Sequence, residues 1–287
     1  MADVMFSDME FGRVVSPDAE ESVGFLRQEM NSENLAGTAK LKFRHHVFLA
    51  WGLVYEWPSE VPDDCPEGSP PRLLDQALKK LAEEGGQAKI KFTLVQAANG
   101  IEEGDMMVFP DYVRFRGGRG MEKSLEALVS YLKGGAASSP VGDLEELSGS
   151  FAFVCSHAAR DARCGHCGPR LMEAIAVKQA SNPQPGLNVF KCSHVGGHKY
   201  AGNLLVYSGK GSLDDCHWYG YVTPENVGSV LSGKEVRGPL WRGRLGLDPV
   251  TAIRERQLQR AKAAAPVVAV SLAAALAVAF TWRRQRR

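Results

Sequence analysis

The chain has 287 residues, 44% of them hydrophobic, and a formal net charge of +1, which leaves room for two domains of ordinary size. The near-neutral total hides a split: from Val250 onward eight basic residues stand against Glu255 alone, so residues 1–249 carry 26 basic and 32 acidic side chains. An acidic body excludes nucleic acid as the expected partner, because phosphate binding needs a basic face.

Residues 1–40 are polar and without period. Asp3, Asp8, Glu10, Asp18, Glu20 and Glu21 against Arg13, with no apolar h-region, argue against a signal or transit peptide. The six cysteines then read as thiols or ligands in a reducing compartment rather than as a disulfide framework. Arg44–Trp51 is strongly apolar and predicts a strand. A proline-rich loop (Pro58, Pro62, Pro66, Pro70, Pro71) leads to a helix over Pro71–Glu84, where Leu74, Ala77, Leu78 and Leu81 share a face and Gly85-Gly86 supply the stop. Ile90, Phe92 and Leu94 alternate as in a half-buried strand. Short β segments follow at Met106–Phe109 and Tyr112–Phe115, then a helix through Leu125, Leu128, Val129 and Leu132. Gly134–Gly142 is a linker by composition.

The second half repeats the order strand, helix, strand, strand pair, helix. Its strands are expected at Phe151–Cys155, Leu187–Cys192, Leu204–Ser208 and His217–Val222. Its helices are expected at Pro169–Ala180, with proline at the first position, and from Thr223-Pro224-Glu225 to about Gly233. The fold class that follows is α/β: a domain over 41–135, a second over 143–247, each of thioredoxin type, after an irregular segment 1–40. At the other end Ala263–Trp282 is uncharged for 20 residues and flanked by arginines, enough for a bilayer-spanning helix. It predicts a transmembrane tail anchor that leaves the domains in the cytosol, at a mitochondrial, plastid or peroxisomal surface rather than the ER.

Chemistry concentrates in two stretches, CSHAARDARCGHCGP (155–169) and CSHVGGHKYAGNLLVY (192–207). Cys155 and Cys164 have eight residues between them; His194 and His198 have three, with Gly196-Gly197 allowing a tight turn. Two thiolates and two imidazoles meet the needs of a [2Fe-2S] cluster with mixed ligation, both sulfurs on one iron and both rings on the other. Two rivals use the same stretch. Cys164-Gly165-His166-Cys167 reads CGHC, a thiol–disulfide exchange tetrad, though the strand before it ends nine positions upstream. Cys164, Cys167, His194 and His198 also resemble a zinc set, with a gap about twice that of a finger. Cys65, Cys192 and Cys216 read as packing residues. Adjacent His45 and His46 face opposite sides of a strand, and His157 and His166 read as donors behind the cluster or as exposed loop residues. No GxSxG or HExxH occurs.

These motifs together with NSENLAGTA (31–39), VFPDYVRFRG (108–117) and HWYGYVTPENV (217–227) resemble the sucrase/ferredoxin-like family, most closely its plant-type members, over some 220 residues. The resemblance implies two thioredoxin-like domains, the second a thioredoxin-like ferredoxin. Fungal members hold a [2Fe-2S] cluster on two cysteines and two histidines, which by motif are Cys155, Cys164, His194 and His198. Cys167 lies outside that pattern. The "sucrase" half of the family's label implies glycoside hydrolysis, but no motif for the two placed carboxylates is present. The expectation is an electron carrier rather than a catalyst, working between unnamed donor and acceptor proteins.

Overall fold

The computed structural model describes residues 17–31, 34–85, 90–134, 144–210 and 215–265. After α1 (Pro17–Ser22), strand β1 (His46–Ala50) is buried at all five positions, as an unbroken apolar run predicts for a strand covered on both faces. The loop carrying Trp57 leads to α2 (Pro70–Gly85), whose Leu74, Leu78 and Leu81 share a core with Val47 and Leu49 of β1. β2 (Lys91–Val95) pairs parallel to β1, and the antiparallel β3 (Met106–Phe109) and β4 (Val113–Phe115) extend the sheet on the other side. α3 (Met121–Gly134) packs beside α2 through Leu125, Leu128 and Leu132, and β5 (Leu144–Glu146) edges β4.

The second half repeats this plan. β6 (Ser150–Cys155) pairs parallel with β7 (Leu187–Cys192) and antiparallel with β8 (Leu204–Tyr207), which carries β9 (His217–Tyr219). α4 (Ala162–Ser181) connects β6 to β7, α5 (Val227–Leu231) lies against α4, and β10 (Trp241–Arg244) closes the edge on β9. A further helix, α6, is described over 249–265.

The expectation of two separate thioredoxin-like domains with a membrane-spanning tail is corrected here. The structure is one mixed ten-stranded sheet, in the order β10-β9-β8-β6-β7-β2-β1-β3-β4-β5. The halves fuse where β2 meets β7 antiparallel at Val95 and Cys192, and Ser193 extends the seam: its amide donates to Leu94 O (2.8 Å) and its Oγ accepts from Leu94 N (2.9 Å). Edge strands expose unpaired donors and acceptors, and here the edge of each half satisfies that of the other. The sheet is also strongly curled. Phe48 on β1 and Phe153 on β6 are three strand positions apart, roughly 14 Å in a flat sheet, yet their rings stack at 3.8 Å. Phe109, Phe151, Phe190 and Tyr207 complete this shared core, so neither half has an independent inner face.

Among the described residues no helix is long and apolar enough to cross a membrane. Of the stretch expected to span, only 263–265 is described, as part of α6, and 266–282 lies outside the described residues. The Gly134–Gly142 linker lies almost wholly outside them too. α4 begins at Ala162, seven residues before the predicted start at Pro169, because Asp161 caps it and the helix absorbs an internal proline at the loss of one backbone hydrogen bond. β5 and β10, short and polar in sequence, were not expected.

Candidate metal centre

The site is built where β6 and β7 end side by side. Cys155 closes β6, paired in register with Cys192 at the end of β7, and both point into the shared core. Asp161 then starts α4: its Oδ1 accepts from Arg163 N at 2.9 Å, and the ion pair with Arg163 holds its carboxyl below the usual range. Cys164 therefore lies in the first turn of a helix, where the backbone dipole favours a thiolate. Gly168 lets this helix lie against the strand end, because a Cβ there would come within 2.6 Å of the Cys155 carbonyl oxygen.

Ligand-type atoms of Cys155, Cys164 and His194 all lie within 4.8 Å of one another. Cys164 donates to Cys155, and with His194 this holds the Cys155 thiol well below its ordinary range; the same contact, together with burial, pushes Cys164 up. Nδ1 of His194 is buried without a hydrogen-bond partner, which is costly for a polar atom unless something fills its valence. His198 stacks on His194 with ring centroids 5.7 Å apart, remains 47% exposed, and turns Nδ1 toward Asp161 Oδ2 at 3.8 Å. Two buried sulfurs and one half-buried imidazole thus converge, with the second imidazole outside them at the surface. An unpartnered nitrogen beside two buried sulfurs fits a metal centre of mixed sulfur and nitrogen ligation.

Residues around the three donors hold this arrangement, His157 as one of the two readings the sequence offered for it and the others without a mark in the sequence. His157 is buried, not an exposed loop residue: its Nδ1 accepts from His194 N at 3.2 Å, so Nε2 carries the hydrogen and donates to Pro58 O at 2.9 Å. Trp57 packs edge-on against the same ring, and Arg160 pairs with Glu60. The first half thereby covers the loops of the second. Arg242 on β10 reaches under the histidine turn, donating to Gly196 O (3.0 Å), Asn203 Oδ1 (2.6 Å) and Thr38 Oγ1 (3.1 Å). Gly197 adopts φ +76°, and a Cβ there would strike the Arg242 guanidinium. An arginine nearly fifty residues downstream of the motif has no local signal that could have pointed to it.

The rival readings fare differently. Cys167 is buried on α4 against Val23 O and Arg27 Nη1, each at 3.5 Å, under the N-terminal segment. It is not one of the three converging donors among the described residues, so the rival zinc set of Cys164, Cys167, His194 and His198 is not gathered as one site there. His166 instead pairs with Glu20 of α1 at 2.8 Å, and residues 17–27 of the N-terminal segment pack on α4 there. All six cysteines are buried free thiols. His45 lies 3.2 Å from Asp111, whereas His46 is sealed in the core between Tyr207 Oη (2.8 Å) and Thr93 Oγ1 (2.7 Å).

The sucrase/ferredoxin-like family model matches residues 35–243. Among curated proteins the chain is similar to altered inheritance of mitochondria protein 32 from several yeasts. It is 30% identical to that of Candida glabrata over 152 residues, which is 46% of this chain and 46% of that protein. It is 33% identical to that of Meyerozyma guilliermondii over 99 residues, 34% of each chain. The protein from Saccharomyces cerevisiae is 33% identical over 104 residues, 33% of this chain and 32% of the other. The matched stretches thus span less than half the length of these relatives. No solved structure matches.

Proposed function

The chain belongs to the sucrase/ferredoxin-like family, and from that premise we propose that it is a one-electron carrier holding a [2Fe-2S] cluster on Cys155, Cys164, His194 and His198. The observation that carries the reading is the convergence of the two sulfurs and the His194 ring within 4.8 Å, with His194 Nδ1 left unpartnered in the fold. Bound there, the cluster would supply a single electron-accepting centre, at a potential of roughly −150 to +300 mV by analogy with other histidine-ligated clusters.

The chain's own residues divide the remaining work. Cys155 and Cys164 are fully enclosed, which keeps water and oxidants from the sulfurs. His157 fixes the backbone of His194, and Asp161 lies beside His198 while capping α4. His198 is the exposed edge of the site, and a donor or acceptor protein would approach there. The relatives' name refers to inheritance of mitochondria, which supports placing the carrier's work at that organelle.

The same three donors would also suit one zinc ion with an open fourth position. Anaerobic purification of the full chain distinguishes the two. A cluster gives visible absorption with about two irons and two acid-labile sulfides per chain. A colourless protein with one zinc would overturn the proposal.

A further inference from the structure

Two buried or half-buried cations, Arg242 under the histidine turn and Lys91 at the start of β2, lie at the end of the sheet that carries the sulfur pair, and neither has a carboxylate partner among the described residues. Arg242 is 2% exposed, and its guanidinium meets only neutral acceptors: Gly196 O, Asn203 Oδ1 and both oxygens of Thr38. Tyr200 covers one face, 4.8 Å from ring centroid to guanidinium carbon. Burial pulls its pKa down to about 10, and Tyr200, Cys155 and Cys164 draw it back, so it is charged at neutral pH. Lys91 starts β2, whose other end pairs antiparallel with Cys192, so it lies beyond the C-terminal end of β7. Its ammonium lies over the rings of Phe43 and Trp218, 5.9 Å from each. Burial lowers its pKa, while Cys192 and Cys155 favour its charge.

A buried cation ringed by neutral groups is unfavourable unless an anion balances it. The Cys155 sulfur lies close enough to favour the charged form of both cations. Resting on the cluster reading above, we propose that Arg242 and Lys91 are the fixed counter-charge of this centre and set its reduction potential. Two thiolates and two neutral imidazoles around the oxidised core make a neutral site. One electron from a donor protein makes it an anion, with no bond broken and no proton required, because the positive charge is already in place. Both residues therefore favour the reduced state.

The test is a spectroelectrochemical titration of the full-length protein, with iron and sulfide measured on every variant first. Lys91→Met removes a charge that makes no hydrogen bond in the described structure. It should keep its iron and shift the reduced-to-oxidised ratio at fixed potential about tenfold toward oxidised, about 59 mV for one electron. Arg242→Met should shift the same way, and Arg242→Lys, which retains the charge, should restore most of the wild-type value. A fully loaded Lys91→Met protein with unchanged potential would overturn the inference while leaving the cluster reading intact. A wild-type chain without iron would remove both.

Discussion

Cys155 and Cys167 make the sharpest contrast at the scale of single residues. Both are buried thiols in the same motif, but one faces Cys164 and His194 and the other faces Val23 and Arg27. Cys155→Ser should therefore abolish iron binding, and Cys167→Ser should leave the iron and sulfide content of the purified protein unchanged. Sequence spacing alone could not place the Cys167 sulfur, because its direction follows from where α4 starts, and that is decided by the Asp161 cap. His46 carries a second prediction. Burial and the charge of Lys91 hold it well below 6.5 in the folded chain, whereas in the unfolded chain it binds a proton near that value. Unfolding then takes up a proton once the pH falls below about 6.5, so stability is lost on acidification, at most about 1.4 kcal/mol per pH unit for one such group. Urea denaturation between pH 8 and 5 should show this slope, and His46→Gln should flatten it.

Among the elements, α4 decides the geometry of the site. It begins two residues before Cys164 and lies on the strand end through Gly168. Gly168→Ala would force the helix away from the Cys155 carbonyl, at about 1–3 kcal/mol for overpacking. Thermal unfolding should show that loss, and iron retention should fall with it because Cys164 moves with the helix. The apolar strands and α2 were legible from periodicity, since their packing faces repeat within a few residues. The start of α4 was not: Pro169 has the look of a first helical residue, and only the capped turn ahead of it shows otherwise. β10 was equally hidden, because Trp-Arg-Gly-Arg has no strand alternation. It is a strand because β9 offers it an edge and Arg242 anchors it under the histidine turn.

For the whole molecule, the repeat of strand and helix order was visible in the sequence, whereas the way the repeats join was not. A periodic pattern says which face of a strand is buried, but not what buries it. Here the two inner faces bury each other through Phe48, Phe153 and Phe109, and β2 with β7 closes the sheet. This arrangement gives the first half a role, since Trp57, Pro58 and Lys91 all serve the site in the second. Trp57, 1% exposed, makes the point testable. Trp57→Ala should cost about 3–5 kcal/mol and speed loss of iron to a chelator, although the residue is nearly a hundred positions from any ligand. Differential scanning calorimetry of the wild-type protein should likewise show one cooperative transition rather than two.

The most direct test of the central claim is pulsed electron paramagnetic resonance on the reduced protein, read for nitrogen couplings. The account predicts two imidazole nitrogens coupled to the cluster in the wild type and one fewer in His198→Ala. A reduced signal with no nitrogen coupling, or one unaltered when His194 and His198 are both replaced, would contradict it.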